Sequence, residues 1–351
     1  MVKNLKWYLK WGILVLILIL LMCALGIIRH DYSKNDTAAR WSEDGDSSHI
    51  GVYISKEQNF SVVDVMKFRE ELKLKLKESD VHISENGMDT WTDCYSSKTS
   101  VQIGDGSTET EITAYGVGND FFLFHPLVLV SGSYFTEENS AKDLVLLDED
   151  SAWRFFGSID IAGMEISING MTHIISGVIK RDSGMFQKAA GNNETAIYMS
   201  YDSLLAMEEN LSITSYEVVM PNLTKDYAKK IVKENIKISD DKCEIVECTD
   251  RYSFDSLLKV IKNFGKRSMQ TKAIIYPYWE NSARGIEDVC AVLLLLFMIL
   301  TGIILVYVIV RMICYYFKNE ETIKSRISHK LQKILEMFRK IHSTIFKKDV
   351  V

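Results

Sequence analysis

The sequence predicts an α+β domain of mixed βαβ and hairpin elements, extracytoplasmic and held between two transmembrane α-helices. Three observations carry that expectation. Two uncharged apolar runs lie near opposite ends of the 351 residues, each close to the ~20 residues a helix needs to cross the hydrocarbon core. Between them, apolar runs of strand length alternate with apolar residues at helical spacing. Charge is divided in the same way. Of 41 basic and 47 acidic residues, three basic ones lie in 1–10, and ten basic and four acidic ones lie in 311–351. The stretch 29–288 keeps 28 basic and 43 acidic residues, a formal charge of −15.

The first run, WGILVLILILLMCALGII at 11–28, follows Lys3, Lys6 and Lys10. Its apolar core is longer than that of a signal peptide, and MCALG is a poor small-residue cleavage site, so an uncleaved anchor is expected. The second run, 289–310, is bounded by Asp288 and Arg311. Basic flanks stay in the cytoplasm. That rule expects residues 1–10 and 311–351 on the cytoplasmic side of the cell membrane and the 49–288 domain outside it. An acidic domain of this size argues against nucleic acid as a partner.

Along the chain, 29–48 is polar and reads as a linker, and 49–55 is a short strand. Ser61 and Asp64 form a capping-box pattern, followed at helical spacing by Val65, Phe68, Leu72 and Leu76. Strands are expected at 100–103 and 111–115 around the loop GDGSTETE. Leu144 to Leu147 is a continuous apolar run, the mark of a buried strand. Asp148 or Asp150 can cap the next helix by accepting orphan backbone N–H groups. Ala152, Phe155 and Phe156 share one face of it, and Gly157 suits a left-handed stop. Met164, Ile166 and Ile168 then alternate with Glu165 and Ser167 up to Asn169-Gly170, a strong hairpin signal. The acids of DEDSAWRFFG therefore read as caps and exposed positions, not as catalysts. A strand at 195–199, a helix from Ser200 to Met207, a strand at 216–220 and helices at 225–236 and 253–264 complete an ectodomain undivided by any Pro/Gly-rich hinge.

Motifs for catalysis are missing. There is no G-x-x-x-x-G-K-[ST], H-E-x-x-H, C-x-x-C or G-x-S-x-G, so neither an ATPase nor another enzyme is expected, and no cofactor. His30, His49, His82, His125 and His173 are scattered without ligand spacing, so no metal site is expected either. The external cysteines are Cys94, Cys243 and Cys248. Cys243 and Cys248 flank EIVE and can bridge only if the chain turns there. Asn35, Asn59, Asn193, Asn210 and Asn222 head N-x-S/T tripeptides, read as chance matches.

One ordered set of residues goes further. Gly116-Val117, Phe121-Phe122, Leu127, Gly132 and Tyr134-Phe135 precede LVLLDEDSAWRFFG, Ile161-Ala162-Gly163, ISING and IISGVI. This order resembles the MacB-type periplasmic core domain of ABC transporter permeases, the family of FtsX- and LolC-like proteins, over roughly 50–200. The resemblance implies an external domain inserted after the first transmembrane helix and a cytoplasmic ATPase that drives its motion. Permeases of the family carry four transmembrane helices, three of them after the ectodomain. Here one follows it, so the resemblance implies a subunit that works beside a separate ATPase and a fuller permease or a second copy of itself.

Two segments are candidates for function. In IIYPYWENSARGIED, at 274–288, Tyr276, Tyr278 and Trp279 suit an aromatic belt at the membrane interface. Alternatively they join Glu280 and Arg284, four apart, in a stiff joint that transmits motion between ectodomain and helix. In the tail, Ile323, Ile327, Leu331, Ile334, Phe338, Ile341 and Ile345 recur every three or four residues among basic side chains. That is a basic amphipathic helix suited to the inner leaflet or to a docking partner. The leading functional expectation is a non-catalytic subunit of an ABC-permease-like complex. The alternative is a receptor-like anchor that binds a cell-envelope protein or peptide without ATP coupling.

Overall fold

The computed structural model describes residues 2–33, 36–42, 46–79, 90–104, 109–136, 143–224, 226–268, 273–318 and 332–337. These fall into two compact units, Leu25–Val292 and the pair of segments Met1–Ala24 and Leu293–Val351. The second unit is helical. It is built from parts of the apolar helices α1 (Val2–Ser33) and, at the far end of the chain, Tyr278–Lys318, and the rings of Trp11 and Tyr307 lie 4.5 Å apart within it.

In Leu25–Val292 a short helix α2 (Thr37–Trp41) precedes β1 (Ser47–Ile54) and α3 (Val62–Glu78). Next come β2 (Thr92–Gly104), β3 (Glu109–Asn119), α4 (Phe121–Phe124), β4 (Val128–Gly132), β5 (Leu144–Asp148) and α5 (Glu149–Phe156). The hairpin β6 (Glu165–Ile168) and β7 (Met171–Lys180) leads to α6 (Met185–Ala189), β8 (Ala196–Ser200) and α7 (Tyr201–Met207). The unit closes with β9 (Ser215–Pro221), α8 (Tyr227–Asn235), β10 (Cys243–Glu247), α9 (Phe254–Ser268) and the start of α10 (Tyr278–Lys318). The strands form one mixed sheet in the order β10-β1-β9-β2-β3-β8-β5-β7-β4, with β6 pairing β2 and β7. Only β3–β8 and β5–β7 are parallel among the described pairs.

Local chemistry explains several elements. The Asp64 carboxylate accepts the Ser61 N–H at 3.1 Å and its hydroxyl at 2.8 Å, and Val65, Phe68, Leu72 and Leu76 are the buried face of α3. Asp148 is the cap of α5. Its Oδ1 accepts the Ser151 N–H at 2.7 Å, and its Oδ2 accepts the Ala196 N–H of β8 at 3.0 Å. Asp150 instead bonds Arg181. Gly157 ends the helix at φ 64. At the hairpin tip Asn169 and Gly170 both take positive φ, 48 and 77, as a two-residue type I′ turn requires.

The structure departs from the sequence reading in three places. The 29–48 linker is partly helical: α1 runs on to Ser33, and Asp36 caps α2 by accepting the Ala38 N–H at 3.0 Å. Arg40 on α2 then donates to the carbonyl oxygens of Leu123 and Phe124. Both β2 and β3 are far longer than expected, because their polar residues are satisfied across an eleven-pair antiparallel ladder from Cys94↔Asn119 to Gly104↔Glu109. The second apolar run is the middle of a longer helix that begins at Tyr278. The chain does not turn between Cys243 and Cys248: the first begins β10 and the second follows its end, so they are free thiols too far apart to bridge.

Three buried clusters organise the sheet. One lies between α3, α8 and the face of β1 and β9 that carries Ile50, Val52, Tyr216 and Val218. A second surrounds Val145, Ala152, Ile168 and Ile197. The third includes Cys94, Tyr115, Phe121, Tyr198, Val219 and Tyr278, with Trp279 packed against it.

Candidate functional site: a buried polar seat for the start of α10

Side chains alternate across a strand, and on β9 this separates two kinds of residue. Tyr216 and Val218 face the first cluster, while Glu217 and Val219 face the other side. The residue opposite Glu217 on β2 is Cys94, and on β1 it is Gly51. At Gly51 the Tyr53 ring takes the place a side chain would fill, and His49, two residues earlier on the same face of β1, lies against the carboxylate. A β-carbon on residue 51 would sit 2.8 Å from the Tyr53 hydroxyl.

Glu217 is thus a buried carboxylate, and such a group needs partners. It has four. His49 Nε2 lies 2.8 Å from Oε2, and His125 Nε2, just past α4, lies 2.9 Å from Oε1. The Trp279 indole N–H donates to Oε1 at 3.0 Å, and the Ser215 hydroxyl donates to the same oxygen at 3.3 Å. Burial by itself would raise the carboxyl pKa, but the charge of and hydrogen bonds from His125 and His49 hold it well below the usual carboxylate range. The Cys94 thiol, beside Glu217, Asp93 and Asp120, is pushed up by burial and by those acids. The donor atoms of Cys94, His125 and Glu217 all lie within 4.8 Å of one another. Among the described residues, these are the side chains placed so that they could hold a metal ion.

A second polar group adjoins the first on α10. Glu280 Oε2 accepts the Tyr53 hydroxyl at 3.0 Å, and Arg251, between β10 and α9, bonds Glu280 and also Glu287 at 3.1 Å. The side chains of Arg251, Glu280 and Glu287 are 8%, 1% and 7% exposed. Burial opposes the Arg251 charge, yet Cys248, Glu280, Glu287 and Tyr53 together raise its pKa well above the usual value. Arg267 at the end of α9 adds a bond to Glu287 and an ion pair with Asp288 at 3.1 Å. Glu280 and Glu287 are seven residues, two turns, apart, so one face of α10 presents both acids to the two arginines.

The five residues singled out in 274–288 divide unevenly. Tyr278 is buried and Trp279 half-buried in the third cluster, and the Tyr278 hydroxyl lies 3.4 Å from that of Tyr198. Glu280 pairs with Arg251, not Arg284. The Arg284 guanidinium sits over the Tyr276 ring, 4.3 Å from its centroid. Both tyrosines and Trp279 therefore pack within the ectodomain. Of the tail stripe, Ile334 lies in a helical segment at 332–337 and is exposed. Ile323, Ile327, Leu331, Phe338, Ile341 and Ile345 lie outside the described residues.

Glu217, His49, His125 and Arg251 were not singled out from the sequence. His49 and Glu217 are 168 residues apart, and His125 and Glu217 are 92 apart, so no spacing pattern connects them. The available signal was the strand SYEVVMP, where a lone acid stands in a run that is buried almost throughout. A wide cavity of about 660 Å³ opens beside this seat, bordered by His49, His125, Glu217, Trp279, Arg251 and Arg29.

The MacB-like periplasmic core domain family matches residues 35–236. The chain belongs to this family. It is a membrane protein related to ABC-type transporters, with a MacB-like extracytoplasmic domain flanked by two helices long and apolar enough to span a bilayer. The family is a transporter permease-type domain, generally non-catalytic. Among solved structures, the periplasmic region of MacB from Actinobacillus actinomycetemcomitans is 15% identical, covering 62% of this chain and 93% of that one, with TM-score 0.42. The extracellular domain of the noncanonic ABC-type transporter YknZ from Gram-positive bacteria is 14% identical, covering 56% and 99%, with TM-score 0.39. A domain of a permease protein from Porphyromonas gingivalis is 12% identical, covering 61% and 96%, with TM-score 0.33. No curated protein matches the chain.

Proposed function

We propose that this MacB-like protein is a non-catalytic subunit of an ABC-type transporter complex, both of its termini cytoplasmic, whose ectodomain transmits motion to or from α10. A separate ATPase supplies the energy, and a fuller permease or a second copy of this chain supplies the remaining membrane helices. One observation carries the reading. The first three turns of α10 are fixed in the ectodomain by Trp279 on Glu217 and by Glu280 and Glu287 on Arg251. The same unbroken helix contains the apolar span. A helix with intact backbone hydrogen bonds resists bending, so displacement at one end is passed along it.

The test is purification of the full chain in mild detergent, followed by identification of what accompanies it. An ABC ATPase and a permease, or stable self-association together with an ATPase, are the expected companions. A monomer that purifies alone would overturn the coupled reading. The 660 Å³ cavity favours one other reading, a membrane-anchored receptor whose ectodomain binds an envelope protein or peptide without ATP coupling. Recovery of such an envelope component without any ATPase is the outcome that selects it.

A further inference from the structure

We propose that Cys94, His125 and Glu217, with His49 holding the carboxylate from its other oxygen, form a binding site for a divalent metal ion of the zinc type. Four separate segments converge there: β1, the turn after α4, β9 and β2. The two imidazoles meet one carboxylate through the same ring nitrogen, Nε2, at 2.8 and 2.9 Å. Cys94 stands directly across the ladder from that carboxylate. Its sulfur, the His125 nitrogen and a Glu217 oxygen lie within a 4.8 Å span. An ion with bonds of about 2.0–2.1 Å to nitrogen, 2.0–2.2 Å to oxygen and 2.3 Å to sulfur draws such a set together with small side-chain movements.

The donor set selects the ion. One nitrogen, one oxygen and one sulfur suit zinc, whereas calcium and magnesium take oxygen ligands. The surroundings match what metal sites require. Trp279 and Ser215 donate to Oε1 and so orient the carboxylate from outside, as outer-shell groups do. The His125 ring is flanked by those of Phe121 and Trp279, and the His49 ring meets Phe124 edge-on, so both imidazoles are fixed in orientation. His49, His125 and Glu217 border the 660 Å³ cavity, which gives an ion a route in. Binding displaces protons: the Cys94 thiol loses its proton to solvent, and His125 presents a ring nitrogen as a lone pair. No oxidation or reduction is involved. The inference does not depend on the transporter reading.

The test uses the full chain purified in detergent, stripped with a chelator and titrated with Co²⁺ alone, then with Zn²⁺. One equivalent of Co²⁺ should produce visible ligand-field bands and a near-ultraviolet thiolate charge-transfer band, both erased by one equivalent of Zn²⁺. Zn²⁺ should also raise the melting temperature of the stripped protein, since a ligand of the folded state stabilises it by mass action. In Cys94→Ser the charge-transfer band should vanish while weaker ligand-field bands remain. His125→Gln and His49→Gln should weaken binding at least about tenfold, the lower end of the loss seen even for outer-shell changes. The stripped wild type provides the folded reference, so the result does not hinge on a variant that misfolds. A folded wild type that gives no ligand-field bands and no melting shift with Zn²⁺ overturns the proposal. Variants that bind Co²⁺ with unchanged affinity and spectra overturn it too.

Discussion

Trp279, in the first turn of α10, donates its indole N–H to the buried carboxylate of Glu217 on β9, at 3.0 Å. Trp279→Phe keeps most of the ring and removes the donor. Glu217 then loses one of its partners, and the expected cost is about 1–3 kcal/mol, the range for under-satisfying a buried polar group. A double-mutant cycle with Glu217→Gln, read by chemical denaturation, isolates the pair. If Trp279→Phe costs as much in the Glu217→Gln background as in the wild type, the two side chains are not coupled and the seat for α10 is misassigned.

The Arg251 clamp makes a larger prediction. Arg251→Met leaves Glu280 buried without its cation and Glu287 with Arg267 alone, and breaking a buried pair from one side costs about 3–5 kcal/mol. Adding Glu280→Met removes one orphaned charge and should restore part of that loss. A double variant less stable than Arg251→Met would show that Glu280 draws its stability from elsewhere.

The hairpin tip tests local backbone chemistry. Gly170 sits at φ 77 with open space around its α-carbon, so a substitution there meets backbone strain and no clash. Gly170→Val should cost about 1–3 kcal/mol, because β-branched residues resist that region. Gly170→Asn should cost less, since asparagine tolerates it. Equal melting temperatures for the two variants would contradict the turn assignment.

What was legible in the sequence follows from the range of the interactions involved. The capping box at Ser61 and Asp64, the Asp148 cap, the Gly157 stop and the Asn169-Gly170 turn each involve residues within a few positions, and each is formed. The order of residues from Gly116 to Ile179 was enough to mark the family. The seat for α10 was hidden because its pairings are long-range and its strands are buried on both faces, so that Glu217 interrupts an apolar run without any periodic signal. Asp93 is a similar case. It is fully buried on β2, yet it accepts from both nitrogens of the Arg69 fork at 2.7 Å and from the Tyr216 hydroxyl at 2.8 Å. Arg69 comes from the exposed-looking flank of α3, and nothing in its spacing names Asp93 as the partner. For the aromatic residues before the second span the sequence left two readings open, an interface belt or a joint to the ectodomain. Tyr278 and Trp279 have polar tips that reach Tyr198 and Glu217 inside the domain, so a composition suited to a lipid interface serves packing within the protein.

Orientation is a separate prediction from the lysine and arginine asymmetry. Cysteine variants at Ser107 and Ser343, labelled on intact cells with a membrane-impermeant reagent, should react at position 107 and not at 343. Permeabilised cells should label both. Labelling at 343 without labelling at 107 on intact cells reverses the topology and removes the cytoplasmic ATPase from reach of the tail.

The tail carries the last prediction. Two spanning helices form a small bundle, and neither apolar run contains an ionisable Asp, Glu, Lys, Arg or His to mark an ion or solute path. On the proposed reading the chain acts through partners, and the apolar stripe from Ile323 to Ile345 in the sequence is the docking surface we propose for them. Replacing Ile327, Leu331 and Phe338 with serine removes the apolar face and leaves the basic charge unchanged, so attraction to anionic lipid persists while a packed helix-helix contact does not. The triple variant should insert normally and keep the melting behaviour of the ectodomain, yet lose its co-purifying membrane or ATPase partner. Salt distinguishes the two modes of attachment. A contact made by the apolar stripe survives raised ionic strength in the wild type, whereas one made by the basic residues alone weakens as charge is screened. Serine variants that retain the same partners in equal yield, with salt dissociating them from the wild type, would assign the attachment to charge and rule out docking through the stripe.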